Sequence, residues 1–262
     1  MRAAAFPSVS QAALLTLGDF LLRYVLQLAL YDARGSLGLS EEQIGAMAML
    51  LAHGGMIALG MQLQGIGWRG LLHPNPASPT AALALLVPPV LLLVPLALLV
   101  DGWMMDGLEA LLPLSNWEQE AFSGMAVIDL PTVLSVCVLA PMLEEMLFRG
   151  VVLRGFLGHY PPGLAIGYSA LLFGAAHLNI YQFCWAFVMG CMAGVLYARS
   201  RSLIPCIALH AALNAGATFL GNGGDAAPLS LGTGVLAVLA AAVGALVLHK
   251  LLPNPHGPAQ TD

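Results

Sequence analysis

The chain has 262 residues, of which 59% are hydrophobic and only 9% are charged. About a quarter of the residues are charged in a typical soluble domain, so this composition predicts an integral membrane protein. The formal net charge is −5, and the nine Lys and Arg residues are scattered along the chain, which argues against a nucleic-acid-binding surface. Because there is no long polar stretch, we expect a single integral membrane domain over residues 1–262.

Apolar stretches of roughly 20 residues, the length that crosses a bilayer as a helix, recur along the sequence. They predict an all-α fold, a polytopic membrane helical bundle of about eight transmembrane helices. The predicted spans lie near residues 11–31, 44–63, 79–100, 126–157, 163–178, 181–200, 203–221 and 230–251. Segments rich in Pro and Gly, such as 73–79, 160–163 and 221–225, are typical of turns and separate several spans.

Two of the early spans carry ionisable residues. Asp19 and Arg23 stand one helical turn apart in the first span, a spacing that predicts a self-neutralising ion pair with a structural role. His53 lies in the second span. We interpret His53 as a hydrogen-bonded packing residue.

The basic residues are distributed unevenly between the two sides of the predicted membrane. One side carries Arg2, Arg69, Arg149, Arg154, Arg199, Arg201 and Lys250, and the other carries Arg34. Cytoplasmic loops are enriched in Lys and Arg, so we expect both termini to be cytoplasmic. Residues 101–120, which are acidic and lack basic residues, should form an outer loop. The short loops and the richness in Ala, Leu and Gly favour a bacterial inner (cytoplasmic) membrane.

The fourth predicted span contains an acid pair, Glu144 and Glu145, followed by Arg149. A charge at the centre of a bilayer costs roughly 3 kcal/mol, so ionisable groups at this depth indicate a functional site. On a helix Arg149 lies one turn beyond Glu145 on the same face, while Glu144 is rotated by about 100°. We therefore expect Arg149 to neutralise Glu145 and to leave Glu144 free for chemistry.

The next predicted span brings a histidine to the same depth. His177 lies as far after Pro161 as Glu145 lies before it, and residues equidistant from the turn of an antiparallel hairpin are level with each other. Phe173 stands one turn before His177 and should form a wall of the same site.

A third polar element lies in the seventh predicted span, where His210 and Asn214 are one helical turn apart. Both should lie in the inner half of the membrane. Together with Glu144 and His177, they predict a polar chamber formed by three helices.

These residues fall into three recognisable motifs. Residues 144–149 (Glu-Glu-Met-Leu-Phe-Arg) resemble the EExxxR motif, residues 173–177 (Phe-Gly-Ala-Ala-His) the FxxxH motif, and residues 210–214 (His-Ala-Ala-Leu-Asn) the HxxxN motif. These are motifs of the CPBP family of intramembrane proteases, also called ABI or type II CAAX prenyl endopeptidase-like. The resemblance covers about residues 126–221, which would form the catalytic motif core.

The resemblance implies an intramembrane endopeptidase that hydrolyses a peptide bond in a membrane-associated protein or peptide tail. It assigns the activation of water to Glu144 and His177, and the binding of the developing oxyanion to His210 and Asn214. The residues in supporting roles are Glu145, Arg149 and Phe173.

A zinc-dependent version of the same chemistry is the alternative. Glu144, His177 and His210 would supply one carboxylate and two imidazoles, leaving an open position for water. The sequence lacks an HExxH motif, and the three side chains would have to converge from three helices. We therefore expect no cofactor, with zinc as the alternative.

Two other classes of function compete with proteolysis. One is a non-proteolytic membrane scaffold or an immunity-type protein, and the other is a transporter or proton relay, since intramembrane acids and histidines also occur there. Transporters often contain inverted repeats with broken helices, which the sequence does not show. The intact motifs favour the protease. Its expected partners are a membrane-associated substrate, reaching the site from the cytoplasmic side or laterally from lipid, and the bilayer; no nucleic acid is expected.

Overall fold

The computed structural model describes residues 6–125, 128–221 and 230–252. The regular structure of these residues is entirely helical, which confirms the predicted all-α class. In chain order the helices are α1 (Val9–Leu37), α2 (Glu41–Gln64), α3 (Trp68–Leu72), α4 (Pro79–Leu91), α5 (Val94–Leu111), α6 (Asn116–Met125), α7 (130–156), α8 (Pro162–Ala175), α9 (Ile180–Ser200), α10 (Ile204–Gly221) and α11 (Leu231–Leu251).

Helices α1 and α2 form a long antiparallel hairpin. Each begins with a capping box, at Ser8 and at Ser40, in which the serine hydroxyl accepts a backbone N–H and a glutamine side chain returns the bond. Each ends at a glycine in the left-handed conformation, Gly38 with φ 66° and Gly65 with φ 64°. Glycine adopts this conformation without a Cβ clash, so the sequence defines both ends of both helices.

Fewer of the described helices are long and apolar enough to cross a membrane than the eight predicted spans. Among the described residues, α1, α2, α9 and α11 are long and apolar enough to cross a bilayer, and the bent pair α4–α5 would make a fifth span. The predicted span 163–178 becomes α8, which stops at Ala175 after 14 residues. That is about 21 Å of helix, shorter than a hydrocarbon core of about 30 Å. Helix length therefore does not confirm the count of eight, whereas the apolar helices fit an integral membrane protein.

The predicted span 79–100 is broken in the structure. Helices α4 and α5 meet at an angle of 46°, directly after Pro88 and Pro89. Proline has no N–H to continue the helical ladder and its ring crowds the preceding turn, which explains the bend. Helix α5 continues to Leu111 and α6 follows, so the predicted outer loop at 101–120 is largely helical.

Helix α7 contains the acid pair and is irregular. It begins at Leu130, directly after the N-cap Asp129, and residues 126 and 127 of the predicted span lie outside the described part. Two π-helical segments, Ser135–Leu139 and Met146–Leu153, flank the α-helical segment Ala140–Glu145. Pro141 cannot donate to the carbonyl four residues earlier, and a wider turn relieves the clash. The acids therefore lie between two widened turns, where π-helical geometry is frequently functional.

One end of the bundle is held together by polar contacts among loops and helix ends. Arg154 donates to the carbonyl of Gly70, and the amide of Asn75 donates to the carbonyl of Ser200 at 2.9 Å. We call this the basic end, because it carries Arg69, Arg154, Arg199, Arg201 and Lys250. Arg2 lies outside the described residues, as do residues 222–225 of the predicted turn.

The opposite end of the bundle carries mostly acidic residues. There Tyr181 donates from its hydroxyl to the carbonyl of Leu112, and Asn179 donates to the Glu118 carboxylate at 3.3 Å. These bonds tie α6 and the preceding loop to the start of α9. We call this the acidic end, and its charged residues include Arg34, Glu41, Glu42, Glu109, Glu118 and Asp129.

The packing of α11 on α4 depends on Gly244. A Cβ at Gly244 would lie 2.5 Å from the carbonyl oxygen of Pro89, a backbone atom, whereas a Cβ at Gly234 in the same helix would have nothing within 4 Å. We predict that Gly244→Ala lowers the free energy of unfolding by about 1–3 kcal/mol, as overpacking does. Gly234→Ala should be neutral or slightly stabilising, because alanine favours helix. Thermal unfolding in detergent measures both, and equal unfolding temperatures would contradict the packing.

Candidate active site

A fully buried network of three charged or polar side chains lies at the centre of the site. Glu145 and Arg149 are both 0% exposed. Arg149 donates from Nη1 to Glu145 Oε1 at 2.8 Å, and His210 Nδ1 lies 2.9 Å from the same oxygen. The pair expected from the one-turn spacing is therefore present, and His210 of α10 joins it.

Arg149 is buried by close packing as well as by its ion pair. Its guanidinium lies over the ring of Phe173, 4.4 Å from the centroid, a favourable cation–π arrangement. A Cβ at Gly190 would lie 3.3 Å from Arg149 Nη2 and 3.0 Å from Ala170, so the absent side chain in α9 leaves room for the guanidinium. The expectation that Arg149 belongs to the basic side of the membrane is thus wrong, because the residue is part of the core.

Glu144 has a different environment from its neighbour. Its side chain is 18% exposed, and its Oε2 lies 3.8 Å from His210 Nε2. Glu144 also lines a cavity. The helical rotation between adjacent residues therefore places one acid in the sealed network and the other at an open surface.

The cavity has a volume of about 440 Å³ and lies between the α1–α2 hairpin and helices α7 and α8. Glu144, Phe148, Phe173 and His177 line it from α7, from α8 and from the turn after α8. Phe173 is 1% exposed, and its ring contacts those of His177 and His210 edge to face. Ligand pockets commonly have volumes of about 300–1,000 Å³, so the cavity has room for a water molecule and a peptide segment.

Hydrogen bonds fix the tautomer of His177. Its Nδ1 lies 3.0 Å from the carbonyl oxygen of Phe173. A carbonyl can only accept a hydrogen bond, so Nδ1 carries the proton and Nε2 of the neutral ring is an acceptor. The bond of His210 Nδ1 to the arginine-paired Glu145 orients that imidazole in the same manner.

The α1–α2 hairpin contributes a polar pair that the sequence analysis did not predict. Asp19 Oδ1 lies 3.2 Å from His53 Nδ1, and both residues line the cavity. The expected pairing of Asp19 with Arg23 is therefore corrected, whereas His53 is only 5% exposed, as expected of a packing residue. The sequence places an acid and a histidine in consecutive spans. Consecutive antiparallel helices usually lie side by side, so this arrangement could have predicted the pair.

Asn214 has a different position from the other motif residues. Its amide donates to the carbonyl of Val136 at 2.9 Å, within the first π-helical segment of α7. Asn214 is half-buried and is not among the described residues that line the cavity. Its hydrogen bond instead joins α10 to the part of α7 that precedes Glu144.

The placement of the acids and imidazoles does not fit a three-ligand metal site. Within the described residues, no group of three or more His, Cys, Asp or Glu side chains is arranged to hold a metal ion. Glu144, His177 and His210, the set required by the zinc alternative, do not converge in this way.

The cavity extends to the acidic end of the bundle. Its outer rim is formed by the exposed Glu42 and the half-buried Thr132 and Gln182, which lie at the starts of α2, α7 and α9. The expectation that a substrate enters from the cytoplasmic side or laterally from lipid stays a prediction. Because α8 is short, His177 lies in the turn after the helix rather than within a span.

Comparisons with known proteins add independent information on the motif segment. Residues 126–216 match the family described as "Type II CAAX prenyl endopeptidase Rce1-like". The chain is also 31% identical over 121 residues to an Escherichia coli protein described as "Uncharacterized 24.3 kDa protein", in a match covering 44% of this chain and 56% of that protein. The match thus spans little more than half of that curated relative. No solved structure shows a significant match.

The family match covers all three motifs and the helices that carry the buried network, from α7 to α10. This segment is therefore similar to the type II CAAX prenyl endopeptidase Rce1-like family.

Proposed function

We propose that this chain is an intramembrane endopeptidase that uses a water molecule activated by Glu144 to hydrolyse a peptide bond in a membrane-associated protein or peptide tail. The observation that carries the proposal is the separation of the two acids. Glu145 is fully buried with Arg149 and His210, while Glu144 faces a cavity with room for substrate. The family match over the same helices supports it.

In the first step, the Glu144 carboxylate accepts a proton from water while the water oxygen attacks the carbonyl carbon of the substrate. His177 orients the water, because its Nε2 accepts the second water hydrogen while its Nδ1 is held by the carbonyl of Phe173. In the second step the carbon–nitrogen bond breaks, and the protonated Glu144 delivers its proton to the leaving amine. Glu144 is thereby regenerated as a carboxylate.

The developing oxyanion requires fixed hydrogen-bond donors in a water-poor site. His210 lies between two carboxylates, at 2.9 Å from Glu145 and 3.8 Å from Glu144. With a hydrogen on both ring nitrogens, His210 would bond to Glu145 from Nδ1 and donate to the oxyanion from Nε2. Asn214 is the proposed second donor on the resemblance to the HxxxN motif, since its amide donates to Val136 and does not line the cavity in the described structure.

The central test compares two cavity-lining acids. We predict that Glu144→Gln lowers the cleavage rate by about 10²–10⁴-fold, the usual contribution of a general base. Glu42→Gln, at the exposed rim of the same cavity, should retain cleavage. The measurement is quantitative mass spectrometry of membrane proteins from a deletion strain that carries the wild-type chain or either variant. Fragments that appear equally with wild type and with Glu144→Gln would refute the proposal.

Glu145 should behave differently from Glu144. We predict that Glu145→Gln lowers the yield of folded protein, because it leaves Arg149 buried without a counter-charge, a change that costs about 3–5 kcal/mol. The double variant with Arg149→Met should recover folded protein, since the unpaired charge is removed. Size-exclusion chromatography in detergent measures the monodisperse fraction. A Glu145→Gln variant as stable as wild type, or a double variant no better than the single one, would contradict this role.

A further inference from the structure

We propose that the substrate reaches Glu144 from the outer face of the membrane, so that the substrate class is an exported polypeptide or a tail presented at the outer leaflet. This inference rests on the proposed function for the chemistry at Glu144. The direction of access itself follows from the structure and from the distribution of charge.

The exposure of the cavity wall increases in one direction. At its deep end, Phe148 is 2% exposed, Phe173 1% and His53 5%. Towards the rim, Gly45 and Thr132 are half-buried and Glu42 is exposed. On the α1 side, Phe20 and Arg23 also line the cavity and are half-buried, so the wall is most exposed towards the start of α2.

The rim is formed by several elements that reach the same end of the bundle. Glu42 follows the turn between α1 and α2, Thr132 lies in the first turn of α7, and Gln182 lies in the first turn of α9. His177 lies in the turn between α8 and α9. The neighbouring residue Asn179 bonds to Glu118, so the rim coincides with the acidic end.

The other direction is blocked by packed side chains. Between Glu144 and the basic end, α7 continues through Val151, Leu153 and Phe156, each 0% exposed. A Cβ at Gly60 of α2 would lie 2.5 Å from Val151, which shows how closely α2 and α7 approach there. A separate cavity of about 480 Å³ lies at the basic end, lined by residues that include Arg154 and Arg201, but Glu144 is not among the residues that line it.

The charge distribution relates these two ends to the membrane. Lys and Arg are enriched on the cytoplasmic side of membrane proteins, whereas acidic residues contribute little to orientation. The basic end carries five described cations, and at the acidic end the sequence places Arg34 near the end of α1. The basic end is therefore assigned to the cytoplasm and the cavity rim to the outside. A tail exposed only in the cytoplasm would meet the packed end of α7.

Cysteine labelling in intact cells tests this inference without requiring activity. Glu42→Cys places a thiol at the cavity rim, and Ala77→Cys places one in an exposed loop at the basic end. A small, permanently charged maleimide that does not cross the inner membrane is applied before and after permeabilisation. The wild-type chain, whose four cysteines are free, sets the background. We expect Glu42→Cys to react in intact cells and Ala77→Cys to react only after permeabilisation.

The inference is overturned if Ala77→Cys reacts in intact cells, or if Glu42→Cys reacts only after permeabilisation. Both results would leave the proposed hydrolysis untouched, since that depends on the comparison of Glu144→Gln with wild type. Conversely, an inactive site with the expected labelling pattern would refute the chemistry while retaining the direction of the cavity.

Discussion

The ion pair between Glu145 and Arg149 is the interaction on which the candidate site depends. Two fully buried charges 2.8 Å apart are tolerated only because each compensates the other, and the loss of either would leave an uncompensated charge in an apolar bundle. The pair also orients its surroundings. Glu145 binds His210 from α10, and Arg149 lies over Phe173 from α8, so one interaction holds three helices around Glu144.

The irregular geometry of α7 and the small residues around it make this arrangement possible. The acid pair lies between two π-helical segments, and Asn214 satisfies a carbonyl in the first of them. Gly190 leaves space for the guanidinium of Arg149. Glu145 can therefore belong to the buried network while its neighbour Glu144 faces the cavity. Two consecutive glutamates can thus have different chemical roles.

Much of this site could be predicted from the sequence, because helical periodicity relates residues separated by one turn. The spacing of Glu145 and Arg149 predicts their pairing, and the hairpin register predicts that His177 comes level with the acids. The pairing of Asp19 with His53 depends on how two helices face each other, which periodicity does not determine. The break after Pro89, the π-helical turns and the short α8 are local departures from regular helix. Span counting assumes regular helices, which is why the sequence does not reveal these departures.

The central claim is that water reaches Glu144 and not Glu145. The most direct measurement is carboxylate modification of the folded protein in detergent, with a water-soluble carbodiimide and an amine, followed by peptide mass spectrometry. The account predicts that the amine is attached at Glu144, whose side chain is 18% exposed, and that Glu145 is protected until the protein is unfolded. Equal modification of both residues in the folded protein, or modification of Glu145 alone, would contradict it.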